Sequence, residues 1–226
     1  PLTALHGYIQ LQNRQAAKSE VPPTFVRYLE EMTKLSRRLN SLVELLLDAS
    51  RVSLGRLVLD KGRADLAEIV RSTVAAAETI DQGAHRLQLV APASIIGMVD
   101  ATRIEQVLTN LIGNALRYSP PGTLVFVRAE QRDGHARVEV IDNGPGVPEE
   151  MRPHLFSRYY QDRGATSQEQ GANGGAPTAL RRERGLGLGL HISKEIVQAH
   201  GGEIGMIPNP EGGSIFWFTI PLGSNE

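Results

Sequence analysis

Between residues 24 and 50 the apolar positions fall at alternating steps of three and four: Phe25, Tyr28, Met32, Leu35, Leu39, Leu42, Leu46 and Ala49. This spacing predicts a helix with a sustained heptad seam. Glu30, Glu31, Lys34, Arg37 and Arg38 fill positions between. Upstream, Leu2, Leu5 and Ile9 predict a shorter helix. Ser19-Glu20-Val21-Pro22-Pro23 breaks the pattern, so that Thr24 can cap the second helix. Residues 1–55 therefore read as a helical hairpin, truncated at its start. One short helix cannot cover so long a seam, and a dimeric four-helix bundle completes it. Burial of the hairpin against its own chain is the competing arrangement.

From residue 56 the period changes. Residues 56–60 read as a short strand, and Asp65-Leu-Ala-Glu68 has the form of a capping box opening a helix to about residue 80. Residues 85–90 and 95–99 are strand-like, and Asp100 can cap a helix running to Tyr118. Two further strands, 124–131 and 136–141, flank the turn Arg132-Asp133-Gly134. A helix over 188–200 precedes closing strands at 203–207 and 214–220. Helices interleave with strands, yet several strands join by hairpins. Residues 56–226 thus predict an α+β unit, a two-layer α/β sandwich with helices on one face of a mixed sheet. The stretch 161–184, QDRGATSQEQGANGGAPTALRRER, has no apolar period and reads as a lid or a disordered loop.

Composition narrows the function classes. The 226 residues are 41% hydrophobic and 22% charged, which suits a globular protein with a core of its own. Lysine and arginine number 24 against 25 acidic residues, so no electrostatic footprint for nucleic acid appears. Absence of cysteine excludes disulfides and thiolate metal sites, and fits a reducing compartment. No apolar run is long enough for a membrane span. The histidines, His6, His85, His135, His154, His191 and His200, lack metal-ligand spacing and read as structural or surface residues.

Three motifs carry candidate chemistry. On the helix ending at Tyr118, Asn110 and Asn114 lie one turn apart, and Arg117 follows on the same side. A carboxamide oxygen suits a hard cation such as Mg²⁺, and an arginine beside it suits phosphate. Capping of neighbouring loops is the other use of such asparagines. Next, Ile141-Asp142-Asn143-Gly144-Pro145-Gly146 ends a strand in a turn. Its carboxylate can accept a hydrogen bond from an exocyclic amine, and its glycines admit a flat ring near the backbone. Ordinary turns use the same residues. Last, Gly185, Gly187 and Gly189 alternate with Leu186 and Leu188 immediately before a helix. Such backbone can present N–H groups to phosphate.

Taken in this order, the motifs resemble the nucleotide-binding boxes of sensor histidine kinases. Asn110 to Tyr118 resembles the N box, and Asp142 to Gly146 the first glycine box. Leu155-Phe156-Ser157-Arg158-Tyr159-Tyr160 resembles the F box, and Gly185 to Leu190 the second glycine box. The closing segment from Gly213 to Pro221 is similar to the last strand of such domains, and the hairpin to the dimerisation and histidine-phosphotransfer unit. The resemblance implies the sandwich of the gyrase and MutL ATPases (a Bergerat-type fold), with Mg²⁺ and ATP as cofactors. It implies Asn110, Asn114 and Arg117 as catalytic residues, with Asn114 holding the metal and Arg117 the phosphates. Asp142 would read the adenine amine, with Tyr118 beside the base. Gly144, Gly146, Arg158, Gly185, Leu186, Gly187, Leu188 and Gly189 would complete the ATP site.

The related ATPases carry a glutamate base where this chain has Asn110, which disfavours hydrolysis and leaves transfer to a protein acceptor. The family often places a basic residue where Gln161 stands; Arg163, Arg181, Arg182 and Arg184 are the substitutes at hand. The family's acceptor histidine precedes the proline matching Pro1 by five residues, so the expected acceptor lies upstream of this chain rather than at His6. A response-regulator receiver domain is the implied partner. A bacterial cytoplasmic location is implied, with membrane attachment only through other segments. A gyrase- or MutL-type ATPase and a nucleotide-binding interaction module are the rival functions.

Overall fold

The computed structural model describes residues 57–158 and 187–222, with a set of helical positions between 24 and 50. The chain divides into two units, Pro1–Leu54 and Gly55–Glu226. In the first unit every described position is helical, including Thr24, which belongs to the helix instead of preceding it. Leu29, Ser36 and Asp48 are buried. The seam residues Phe25, Tyr28, Met32, Leu35, Leu39 and Leu46 are exposed. Leu42, Ala49, the expected first helix and the break before Thr24 lie outside the described residues.

The second unit runs β1 (Gly62–Asp65), α1 (Leu66–Asp81), β2 (Arg86–Val90), β3 (Ile96–Val99) and α2 (Ala101–Tyr118). It continues with β4 (Leu124–Arg132), β5 (His135–Ile141), a 3-10 turn at Glu149–His154, α3 (Gly189–Ala199), β6 (Ile204–Pro208) and β7 (Ser214–Pro221). Five strands form one sheet in the order β2-β4-β5-β7-β6. β2 pairs with β4 in parallel and the other neighbours are antiparallel, so the sheet is mixed. β1 and β3 form a separate antiparallel ribbon.

Strand periodicity sets the layers. Val125, Val127 and Ala129 of β4, Ala136, Val138 and Val140 of β5, and Phe216, Phe218 and Ile220 of β7 are all buried. Their alternate neighbours, among them Arg128, Glu139 and Trp217, face away from that layer. α2 presents Ile104, Val107, Leu108, Leu111, Ile112 and Ala115 to the core, the recurrence of an amphipathic helix. α1 packs against α2, and α2 against α3. Each fully buried leucine or isoleucine contributes about 1.5–3 kcal/mol over its exposed state. On the opposite face the Arg137 guanidinium lies 4.5 Å over the Trp217 ring, and Gly205 leaves room for that ring from the neighbouring strand.

Caps fix the element boundaries. Asp65 Oδ1 accepts from Ala67 N–H at the start of α1 and from Ile95 N–H across the fold. Those backbone donors, that of Ile95 foremost, hold its carboxyl below the usual aspartate range. Glu68 pairs with Arg71, so its side chain serves a salt bridge. Asp100 caps α2 through Oδ1 to Arg103 N–H, while Oδ2 accepts from Asp60 N–H. The strand expected at 56–60 is displaced: 57–61 is irregular, Val58 is exposed, and the pairing strand is Gly62–Asp65. The bond from Asp60 to the helix cap removes that residue from any ladder.

His200 closes α3 and is buried. Asp100 N–H donates to its Nε2 at 3.0 Å, so Nε2 is unprotonated and the ring proton sits on Nδ1, facing the Ile196 carbonyl at 2.8 Å. Burial pushes its pKa below the ordinary histidine value, with Lys61 adding to the effect against Ile196 and Asp100. Because the folded-state value is depressed, the unfolded chain binds the proton more readily below the ordinary value near 6.5. This contribution to stability is therefore complete above that pH and is lost as pH falls through it. Melting temperature is expected to fall on acidification from about pH 8 to about pH 5.5, and His200→Gln, which retains an acceptor, is expected to flatten that slope. His200→Phe leaves Asp100 N–H unpaired and is expected to cost about 1–3 kcal/mol in denaturant titration.

Candidate functional site

The buried stripe of α2 leaves Asn110 and Asn114 on its flank, both half-buried, with Arg117 and Tyr118 exposed at the helix end. The helix stops at Ser119, whose carbonyl meets His85 Nε2 at 3.3 Å. His85 is itself bound through Nδ1 to Asp81 at 2.8 Å. Burial opposes ionisation of Asp81, yet its bonds to His85 outweigh that and lower its pKa. The end of α2 is thus pinned to the end of α1.

α3 is joined to Asn110. Asn110 Nδ2 donates to Ser193 Oγ at 3.0 Å. At Gly189 any Cβ would run into the Asn110 carboxamide, with Oδ1 its nearest atom. With glycine here the Asn110 carboxamide packs directly against the α3 backbone; a larger residue would require that side chain to move. Gly187 has a positive φ of 68°, which favours glycine. Leu188 is buried as a whole residue, and Gly187 and Gly189 on either side are half-buried. Gly185 and Leu186 lie outside the described residues, as do Tyr159, Tyr160, His6, Gln161, Arg163, Arg181, Arg182, Arg184 and the stretch 161–184.

Asp142 follows β5 and is buried. Its N–H donates to Ser214 O at 2.9 Å, which extends the β5–β7 ladder. Its Oδ1 accepts from Gly144 N–H at 2.8 Å and Ser214 N–H at 3.2 Å. Oδ2 accepts nothing from the described residues. Burial raises the Asp142 pKa above the ordinary carboxylate value, and the two N–H donors offset only part of that. A Cβ on Gly144 would stand 2.9 Å from Asp142 Oδ1 and 3.1 Å from Tyr118 O, so α2's end and the strand end meet there. Gly146 has φ 74° and lies against Gly213 O. Arg158 is exposed, just beyond the turn whose Phe156 carbonyl meets His191 Nδ1 of α3 at 3.3 Å.

Sequence reasoning missed two of these contacts. Gly213, with φ 95°, has the Asp142 carbonyl where a Cβ would be, and its only signal was the Gly212-Gly213 pair before the last strand. Ser193 was legible only as the residue one helical turn after Gly189.

Among the described residues no group of three or more histidine, cysteine or acidic side chains could hold a metal. A hard cation here would take carboxamide oxygens from α2, with phosphate and water completing its shell. Mg²⁺ uses that donor set, since it keeps several waters and few protein ligands. The half-buried amides of Asn110 and Asn114, one turn apart, fit it. No helix among the described residues is long and apolar enough to cross a membrane.

Comparison with known proteins places the chain in a family. The signal transduction histidine-protein kinase AfsQ2 of Streptomyces coelicolor is 37% identical over 188 residues, covering 82% of this chain and 31% of AfsQ2. The chain spans less than half the length of the curated relatives it matches. Among solved structures, full-length ShkA in complex with AMPPNP is similar, with a TM-score of 0.69 and 23% identity over 98% of this chain and 43% of that one. Histidine kinase ThkA in complex with the response regulator protein TrrA has a TM-score of 0.64 and 24% identity, over 98% of this chain and 58% of that one. These two likenesses concern the fold. Residues 99–224, from β3 through the closing strand, match the family described as histidine kinase-, DNA gyrase B-, and HSP90-like ATPase. With more than half of its residues in that match, the chain belongs to the histidine kinase-, DNA gyrase B-, and HSP90-like ATPase family.

Proposed function

We propose that this chain is the catalytic portion of a sensor histidine kinase, binding Mg-ATP and passing the γ-phosphoryl group to a protein histidine. The single observation that carries the kinase reading is Asn110. The family's ATPases need a carboxylate there to take a proton from water. Asn110 is neutral, and its Nδ2 already donates to Ser193. It cannot serve as a base, so water at the γ-phosphate is not activated and an acceptor side chain aligned in line is the productive nucleophile. A steady-state phosphate-release assay separates the rival: sustained turnover without a protein acceptor would favour the gyrase- or MutL-type ATPase.

The proposed roles extend the family resemblance to these residues, and the placement of Asn110, Asn114 and Asp142 supports them. Asp142 Oδ2 accepts from the adenine amine, beside backbone that Gly144 and Gly146 draw close. Tyr118 borders the base. Arg117 balances phosphate charge, and backbone from Gly187 to Gly189 approaches the phosphates. Asn114 would hold Mg²⁺, which supplies charge neutralisation for the phosphates when bound. Arg158 completes the phosphate side. The exposed seam of the first unit supports a homodimer, since burying Tyr28, Met32, Leu35 and Leu39 needs a second surface. The ThkA complex supports a response-regulator receiver domain as the partner of the phosphorylated histidine. A bacterial setting accords with the relatives' organisms, and a cytoplasmic location is part of the same reading.

Asp142→Asn separates binding from stability. Its folded-state pKa is raised, so the cost of ionising it in place is absent below about 3.8 and present in full above the folded value. At neutral pH the wild type carries that cost and the amide does not. The variant is expected to melt no lower than wild type near pH 7, with any gain shrinking towards pH 4. Its Nδ2 would oppose the adenine amine donor to donor, so affinity for an ATP analogue is expected to fall about tenfold or more in calorimetric titration. Unchanged affinity would remove Asp142 from the site.

Asn114→Ala is expected to weaken analogue binding by about tenfold with Mg²⁺ and far less in chelator. Equal losses under both conditions would deny Asn114 a metal role.

A further inference from the structure

We propose that Asn143 is a deamidation site held closed by its neighbour Asp142: while Asp142 Oδ1 keeps the Gly144 N–H, the Asn143 side chain does not cyclise, and it does so only when the turn opens. The chemistry belongs to the turn itself and holds whatever the chain binds.

Asn143 is exposed to solvent and is followed by Gly144. Glycine puts no side chain in the way of a ring, so its backbone nitrogen can reach the preceding carboxamide. Gly144 N forms a bond to Asn143 Cγ, and the Cγ–Nδ2 bond breaks. The proton from Gly144 N leaves with the amide nitrogen as ammonia, and the product is a succinimide. Water then opens the ring at either carbonyl, giving aspartate or isoaspartate.

Both reacting groups are otherwise engaged in the folded chain. Gly144 N–H donates to Asp142 Oδ1 at 2.8 Å, the two-residue reach of an aspartate turn. In a succinimide the new N–C bond stands where the N–H bond stood. A hydrogen directed at Asp142 therefore leaves no approach to Asn143 Cγ. The carboxamide is held as well, since Asn143 Nδ2 donates to Leu124 O at 3.1 Å. Only the nitrogen end can donate to a carbonyl, so the leaving group is the atom tied to β4. Asp142 is itself fixed by Ser214, through its own N–H and through Oδ1. Ring closure waits until Gly144 leaves Asp142 and Asn143 leaves β4, a local opening of the turn. Isoaspartate would add one main-chain atom between Asp142 and Gly144. There is no room for it: even a Cβ on Gly144 would stand 2.9 Å from Asp142 Oδ1 and 3.1 Å from Tyr118 O.

The test incubates the whole chain near neutral pH at physiological temperature, with samples digested by trypsin over time. The peptide Val138–Arg158 contains Asn143 as its only asparagine, so its acid form reports this site alone. In wild type that form is expected to accumulate about tenfold or more slowly than in a synthetic peptide of residues 140–147. Asp142→Ala is expected to recover most of the peptide rate. Asp142→Asn, which keeps an acceptor at Oδ1, is expected to stay slow, with fragment masses separating position 142 from 143. Hydrogen exchange at the Gly144 amide, followed by NMR in the wild type, is expected to be slowed along with deamidation. Wild type matching the peptide would overturn the proposal. So would Asp142→Ala that melts cooperatively yet deamidates as slowly as wild type, or Asp142→Asn as fast as the peptide. A freely exchanging Gly144 amide in a wild type that deamidates slowly would overturn it too, a result that needs no variant to fold.

Discussion

The second unit depends on a carboxylate kept where carboxylates are costly. Asp142 is bound at its N–H, its carbonyl and Oδ1, by Ser214, Asn209 and Gly144. Gly213 lies so close to its carbonyl that no side chain fits there. These contacts tie the end of β5 to the start of β7 and the turn before it. They do not repay the burial in full, as the raised pKa records. The carboxylate is therefore held in place at a cost to stability that its two N–H donors offset only in part.

The two asparagine-bearing turns of α2 are organised by a different rule. Their flank is neither core nor fully solvated, and the neighbouring α3 closes over it through one missing Cβ and one hydroxyl. A residue proposed for the nucleotide site is thus also a packing contact between α2 and α3. The far ends of both helices are secured separately, α2 by Asp100 with Asp60 and His200, and α1 by Asp65 with Ile95. Anchoring at the ends leaves the middle of α2 to carry polar residues without unravelling.

Much of this was legible in the sequence because it is local. The caps Asp65 and Asp100 and the turn Asp133-Gly134, both residues at positive φ, are short-range chemistry, and the α+β class with a mixed sheet follows from their order. Strand edges shifted by a residue or two, as hydrogen-bond ladders extend while their partners last. The strand expected at 56–60 is not formed over the described residues 57–60, and Asp60 N–H is bound instead to Asp100 from another element. The glycine run was legible as unusual, yet the reason for Gly189 needed Asn110 from another helix. The parallel pairing of β2 with β4, and the reach of Ser214 to Asp142, are likewise meetings of distant segments that no local period encodes.

Trp217 is the only tryptophan in the 226 residues, and it sits under Arg137 on the face of the sheet opposite α1, α2 and α3. The nucleotide boxes belong to the helical side and to the strand ends. Intrinsic fluorescence excited at the indole therefore reports whether β5, β7 and β6 are assembled, through a chromophore quenched or shifted by its guanidinium neighbour. The molecule carries its own optical gauge of sheet integrity, separated by a layer of strands from the residues proposed to handle ATP.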